Sequence, residues 1–193
     1  VDAPRQRNSR DENKKIKNGV IPEEWEKPEN KSKLAQKDID ADWTKKNGER
    51  HFGYKDHVKC DADSKLITNY SVTSASVHDS QRCLVFIGQE DEVLYADSAY
   101  SGKPIALALP ENCKNQICEK GYRNSPLTSE QKMNNRRKSR IRCRIEQIFG
   151  FMTGAMHGIT IRSIGITRAW MNIGITNLVY NFCRYSYLKR ASA

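Results

Sequence analysis

The chemical signal in this chain rests on two carboxylates and a run of cations. Asp97 follows Val93-Leu94-Tyr95-Ala96, an apolar run bounded by charge that reads as a buried strand. A carboxylate there stands at the C-terminal edge of a strand, where open α/β sheets bind ligands. Capping the next turn, Ser98 to Gly102, is its structural alternative. Glu146 falls in a helical pattern from Ser129 to about Met156. At ~100° per residue it lies at the edge of the apolar stripe, with Arg142 and Phe149 within ~60° of it. It is one of two acids in residues 120–193, and Arg140, Arg142 and Arg144 flank it, so it is expected to stay ionised. An i,i+4 ion pair with Arg142, contributing ~0.3–0.5 kcal/mol, is the alternative role.

Arg136, Arg137, Lys138, Arg140, Arg142 and Arg144 place six cations within nine residues. A helix so loaded repels itself unless a polyanion relieves it. A phosphate backbone is the expected partner, with steeply salt-dependent binding; simple solvation of the face is the alternative. Carboxylates from separate elements beside a phosphate-binding surface suit two-metal phosphodiester chemistry. Their hard oxygens match Mg²⁺ or Mn²⁺.

The elements that must position these residues follow from periodicity. His51 to Val58 alternates apolar with polar, and Leu66 to Thr73 is β-branched and aromatic, so a hairpin is expected across the turn at 61–65. A helix should begin near His78-Asp79-Ser80 and run to about Ile87, a short helix from Lys103 to about Leu109, and a weak polar strand over 115–119. The Ser129–Met156 helix should bury Ile141, Ile145, Ile148, Phe149, Met152 and Met156. A last helix, Ile166 to Tyr187, should bury Ala169, Ile173, Leu178 and Phe182. Val93 to Ala96, apolar on both faces, should be central in the sheet with the hairpin beside it. Residues 1–50 read as a polar arm or insertion, ordered only around Trp25 and Trp43, with one short helix over 11–17 capped by Ser9 or Asp11. Residues 51–193 then form the main domain.

Charge sharpens this division. Residues 51–119 carry a net −4 and residues 120–193 a net +12, within a whole-chain +10. No apolar run approaches the ~18 residues of a membrane span. The six cysteines lack C-x-x-C spacing and read as reduced thiols rather than zinc ligands.

The chain resembles the DDE transposases of bacterial insertion sequences, in the "insertion sequence five" group. The matching segments are V-D-A-P-R-Q-R-N-S-R (1–10), D-A-D-W-T-K-K-N-G (40–48), H-F-G-Y-K-D-H (51–57), S-V-H-D-S (76–80), Y-A-D-S-A-Y-S-G (95–102), R-I-R-C-R-I-E-Q-I-F-G (140–150) and G-I-T-R-A-W-M-N-I (165–173). The resemblance implies a ribonuclease-H-like fold, a five-stranded mixed sheet flanked by helices. It implies Asp97 as the second catalytic aspartate, Glu146 as the glutamate and Arg142 as the arginine before it. Mg²⁺ or Mn²⁺ is the implied cofactor. Double-stranded DNA at insertion-sequence ends and targets is the implied partner, bound by a homodimer in the cytoplasm, on the nucleoid. Two departures stand out. The family's first catalytic aspartate lies on a strand upstream of the segment that holds Asp2, so the chain is expected to lack that strand, one metal ligand and the N-terminal DNA-binding region. Thr153 stands where the family tends to carry lysine. An inactive DNA-binding remnant and a basic RNA-associated module are the competing expectations.

Overall fold

The computed structural model describes residues 1, 3, 7–46 and 48–192; Asp2 lies outside them. Helix α1 (Arg10–Lys17) starts at Ser9, whose Oγ accepts from Glu12 N at 3.2 Å while Glu12 Oε2 accepts from Ser9 N at 2.5 Å. This reciprocal box satisfies two otherwise orphaned donors. Burial raises the pKa of Glu12, but hydrogen bonds from Ser9, Trp25 and Lys37 outweigh it and bring it down to about 2. Short helices α2 (Glu23–Glu26) and α3 (Lys31–Leu34) follow.

Order in this first segment reaches beyond its two tryptophans. Trp25 is buried and Trp43 packs on Phe52 with ring centroids 5.3 Å apart, but Asn8, Asn13, Asp38 and Asp42 are buried too. Buried polar groups need partners, and each of these residues has at least one, although Asn8 Oδ1 and Asn13 Oδ1 find none among the described residues. Asp38 Oδ2 accepts from Tyr54 Oη at 2.6 Å and from Gly165 N at 3.1 Å, and Asn13 Nδ2 donates to Asp42 Oδ1 at 2.7 Å. Hydrophobic periodicity is blind to such anchors.

Strands β1 (Asp42–Lys46), β2 (Glu49–Cys60) and β3 (Ile67–Ser74) form an antiparallel sheet in that order. Trp43 stands opposite Phe52, and His57 opposite Ser71. The expected hairpin is present, and its turn places Lys65 at φ 61°. The N-terminal residues extend the sheet: Ala3 N donates to Phe52 O at 3.0 Å and Tyr54 N to Val1 O at 3.1 Å.

The segment before Asp97 departs from expectation. Strand β4 (Val93–Leu94) is two residues long and pairs in parallel with β5 (Lys114–Asn115), in a sheet separate from β1–β3. Val93 is 38% exposed, so β4 is neither central nor covered on both faces. Among the described residues its strand partner is β5 alone. Leu94 and Ala96 instead pack inward against Cys83, Ile105 and Ile117, from α4 (Ser80–Phe86), α5 (Lys103–Ala108) and the chain after β5. Asp79 does not cap α4 through its side chain; it pairs with Lys55 at 3.1 Å.

Two 26-residue helices complete the fold, α6 (Ser129–Gly154) and α7 (Ile166–Ala191). Ile148 and Met152 of α6 and Tyr180 of α7 bury against Ile67, with Val58 and Tyr70 beside them. Ala169 and Ile173 of α7 pack with Phe52, Tyr54 and Val72. Gly165, at φ 94°, offers α7 no capping side chain, and Asp40 Oδ2 accepts from Ile166 N at 2.9 Å instead. Leu178 and Phe182, expected in the core, are 52% and 62% exposed. The sheet-facing positions are Ala169, Ile173, Asn177 and Tyr180, one continuous stripe at helical spacing. Leu178 and Phe182 fall on the opposite face.

Candidate active site and nucleic-acid interface

Asp97 ends the β4 segment and caps the following turn. Its Oδ1 accepts from Ser98 N at 2.6 Å, and the residue is exposed. The structural role weighed for it is therefore in use, with the second carboxylate oxygen left over. The neighbouring backbone continues in parallel register, with Cys118 N donating to Ala96 O at 3.0 Å. Cys118 Sγ in turn lies 3.9 Å from Ser139 Oγ on α6. Asp97 is thus two short steps from α6, through Ala96 and Cys118.

Several contacts hold α6 in place. Asn135 pairs with the backbone of Glu119 in both directions, at 2.9 and 3.0 Å, and Lys138 Nζ donates to Ile117 O at 2.9 Å. Further along, the hairpin turn reaches α6: Arg144 meets Asp63 at 3.3 Å and Lys65 donates to Gln147 at 2.5 Å. Between these anchors Arg142 Nη2 pairs with Glu146 Oε1 at 3.0 Å. The structure thus brings Arg142 and Glu146 together, while Asp97 makes its hydrogen bond within its own turn. Thr153, two turns beyond Glu146, bonds back to Phe149 O at 2.9 Å.

Tertiary contacts divide the basic run by role. Lys138 faces inward, Arg144 is tied to Asp63 and Arg142 to Glu146. Arg136, Arg137 and Arg140 are exposed and make no ion pair among the described residues. Arg136 and Arg140, with Lys132 one turn earlier, line an open groove of about 600 Å³ that also takes in Asn135, Ser139 and Cys143. Lys132 escaped the sequence reading because it stands apart from the run; its i,i+4,i+8 spacing with Arg136 and Arg140 is the signal that marks it. Glu146 lies seven residues after Ser139, two turns on and ~20° away in direction, so it continues the groove's side of α6.

A family model described as "Transposase DDE domain" matches residues 9–182. The chain belongs to the DDE transposase domain family. The transposase domain is also 34% identical over 117 residues to the transposase for insertion sequence element IS1106 of Neisseria meningitidis serogroup B. That match covers 59% of this chain and 40% of the relative, so the chain spans well under half of the curated protein it resembles. No solved structure matches it at a significant level.

Domains of this family act with divalent metals, and the fit of the residues present can be tested. Carboxylate oxygens are the donors Mg²⁺ and Mn²⁺ prefer. Among the described residues, however, no three His, Cys, Asp or Glu side chains cluster as a metal site. Asp97 and Glu146 are the right donor type in too small a number, so the described residues do not by themselves form a metal centre. No helix of the transposase domain, among the described residues, is long and apolar enough to cross a membrane.

A half-buried acid on β2 also escaped the sequence reading. Burial pushes Asp56 up to about 7, against the opposing hydrogen bond from Asn177. Its Oδ1 accepts from Asn177 Nδ2 at 3.3 Å, while Asp56 Oδ2 and Asn177 Oδ1 have no hydrogen-bond partner among the described residues. An acid inside the polar register of a strand carries no sequence mark of burial; only the arrival of α7 creates it.

Proposed function

We propose that the domain is the catalytic part of a DNA transposase that breaks and rejoins phosphodiester bonds at insertion-sequence ends. In this reading residues 51–193 form a ribonuclease-H-like scaffold, and the 1–50 segment adds β1 to its sheet. One observation carries the proposal. Ser139 lines the cationic groove, shares its side of α6 with Glu146, and touches the segment bonded to Ala96 next to Asp97.

The roles follow from that arrangement. Lys132, Arg136 and Arg140 hold the phosphate backbone along α6, and Arg137 adds an outer contact. Arg142 holds the Glu146 carboxylate in one orientation beside the bound backbone. Asp97 and Glu146 would offer two oxygen donors to Mg²⁺ or Mn²⁺, too few by themselves to hold either ion tightly. Two copies pair on DNA in the cytoplasm, on the nucleoid. One observation favours a second reading, a DNA-binding remnant without chemistry: no third carboxylate joins the pair among the described residues.

The test is an assay of the purified chain on a labelled insertion-sequence end with 5 mM Mg²⁺ or Mn²⁺, a concentration of about the order such weak sites need. Cleavage or joining that falls at least ~100-fold in Asp97→Asn and in Glu146→Gln supports the active reading. Activity that survives both substitutions removes them from the site. Tight DNA binding without any product supports the remnant.

A further inference from the structure

We infer that the domain carries a second site for a DNA phosphate backbone, in the open groove between α1 and the β1–β2 hairpin. This groove of about 360 Å³ is walled by Arg10, Lys14, Lys17, Lys45 and Arg50, with Asp42 the one acid among the described residues that line it. In sequence, residues 1–50 are nearly balanced, with 13 cations and 11 acids. Folding sorts those charges. Arg10, Lys14 and Lys17 fall at i, i+4 and i+7, on one face of α1. Glu12 leaves that face, held by Ser9, Trp25 and Lys37. Lys45 stands directly opposite Arg50 in the strand register, and like charges in that position destabilise a sheet.

Lys17 and Asp42 neutralise one another. Arg10, Lys14, Lys45 and Arg50 are exposed and have no acidic partner among the described residues. Four uncompensated cations around one trough, two of them face to face, repel one another, and a bound anion relieves that repulsion. The trough is extended rather than a point. From Arg10 to Lys17 the helix axis advances ~10 Å at ~1.5 Å per residue. A DNA strand presents one phosphate per ~3.4 Å of axis, so the wall spans about three phosphates. Trp43, half-buried in the floor, gives the groove a firm apolar base.

The inference rests on the proposed DNA reading and extends it from one groove to two. The test is the salt dependence of binding to a 30-base-pair duplex of mixed sequence (about three helical turns), followed by fluorescence anisotropy on the full 193-residue chain. The groove triple variant Lys14→Ala/Lys45→Ala/Arg50→Ala should lower the slope of log K against log salt by about 2–3. Its melting temperature should be unchanged or higher, because the Lys45–Arg50 repulsion is gone. A control triple outside the groove, Lys15→Ala/Lys27→Ala/Lys31→Ala, removes the same net charge and should change the slope by less than ~1. An equal effect in both triples would overturn the inference, since net charge alone would then explain it. An unchanged groove triple alongside weakened Arg136→Ala and Arg140→Ala variants would overturn it while leaving the α6 reading standing. A wild-type chain that binds no duplex at low salt would overturn both.

Discussion

Lys138 Nζ lies 2.9 Å from the carbonyl oxygen of Ile117, so one cation in the middle of the basic run points into the protein. Its side chain is only 15% exposed, and Glu119 sits 3.9 Å away. Arg136 and Arg140, two residues to either side, face the open groove. Lys138→Ala should therefore lower stability by ~1 kcal/mol, as for loss of a charge-assisted hydrogen bond, and leave the salt slope of DNA binding nearly unchanged. Arg136→Ala and Arg140→Ala should do the reverse, each lowering the slope by about 1 at constant melting temperature. Thermal melts and anisotropy on the same preparations check the split. A Lys138→Ala variant that loses DNA binding but not stability would reverse the assignment.

The half-buried Asp56 should leave a signature in stability against pH. Its pKa rises from 3.8 to about 7 on folding, chiefly through burial. Between those values the folded state keeps a proton that the unfolded state has released, so stability falls as pH rises across that window. The loss is on the order of 2–4 kcal/mol. Above about pH 7 both states are ionised and the loss levels off. Asp56→Asn removes the charge, and its amide can donate to Asn177 Oδ1, which has no partner. Denaturant unfolding from pH 4 to 8 should show the wild type losing stability relative to the variant as pH rises, since His57, whose pKa burial lowers, adds the same opposite slope to both. A wild type that does not lose stability relative to Asp56→Asn over this range would contradict a raised pKa at Asp56.

Helix α7 is apolar on two opposite faces. Ala169, Ile173 and Tyr180 bury against the sheet, while Met171, Ile175, Leu178, Phe182 and Tyr185, each more than half exposed, repeat at alternating spacings of four and three on the other side. That is the heptad pattern by which helices pair, and a helix apolar all round is normally covered. Together these side chains present roughly 500–600 Å² at ~150–250 Å² for a large residue, approaching the ~800 Å² per partner of a standard interface. Sedimentation equilibrium of the chain without DNA should show a dimer, and Phe182→Glu should weaken it by at least ~tenfold. A wild-type monomer at ~100 µM would refute this pairing.

Much of this protein was legible along the chain because the relevant physics is local. The alternation over 51–58 and 66–73 specifies strands, the turn residues between them specify a hairpin, and Ser9 with Glu12 specifies where α1 begins. The motif segments specify the family, and the crowding of cations from Arg136 to Arg144 specifies a charged helix. Tertiary structure decided which groups are used and which are free. Nothing in the sequence distinguishes Lys138 from Arg140; the carbonyl of Ile117, brought alongside by the β5 segment, does. Val93 to Ala96 is apolar enough for a central strand, yet burial requires a neighbour on each face, and only one is present. On α7 two faces are equally apolar, so periodicity alone could not choose between Leu178 and Tyr180. Contact with β2 and β3 chose Tyr180, because burial belongs to the pair of surfaces that meet and not to either strip of sequence.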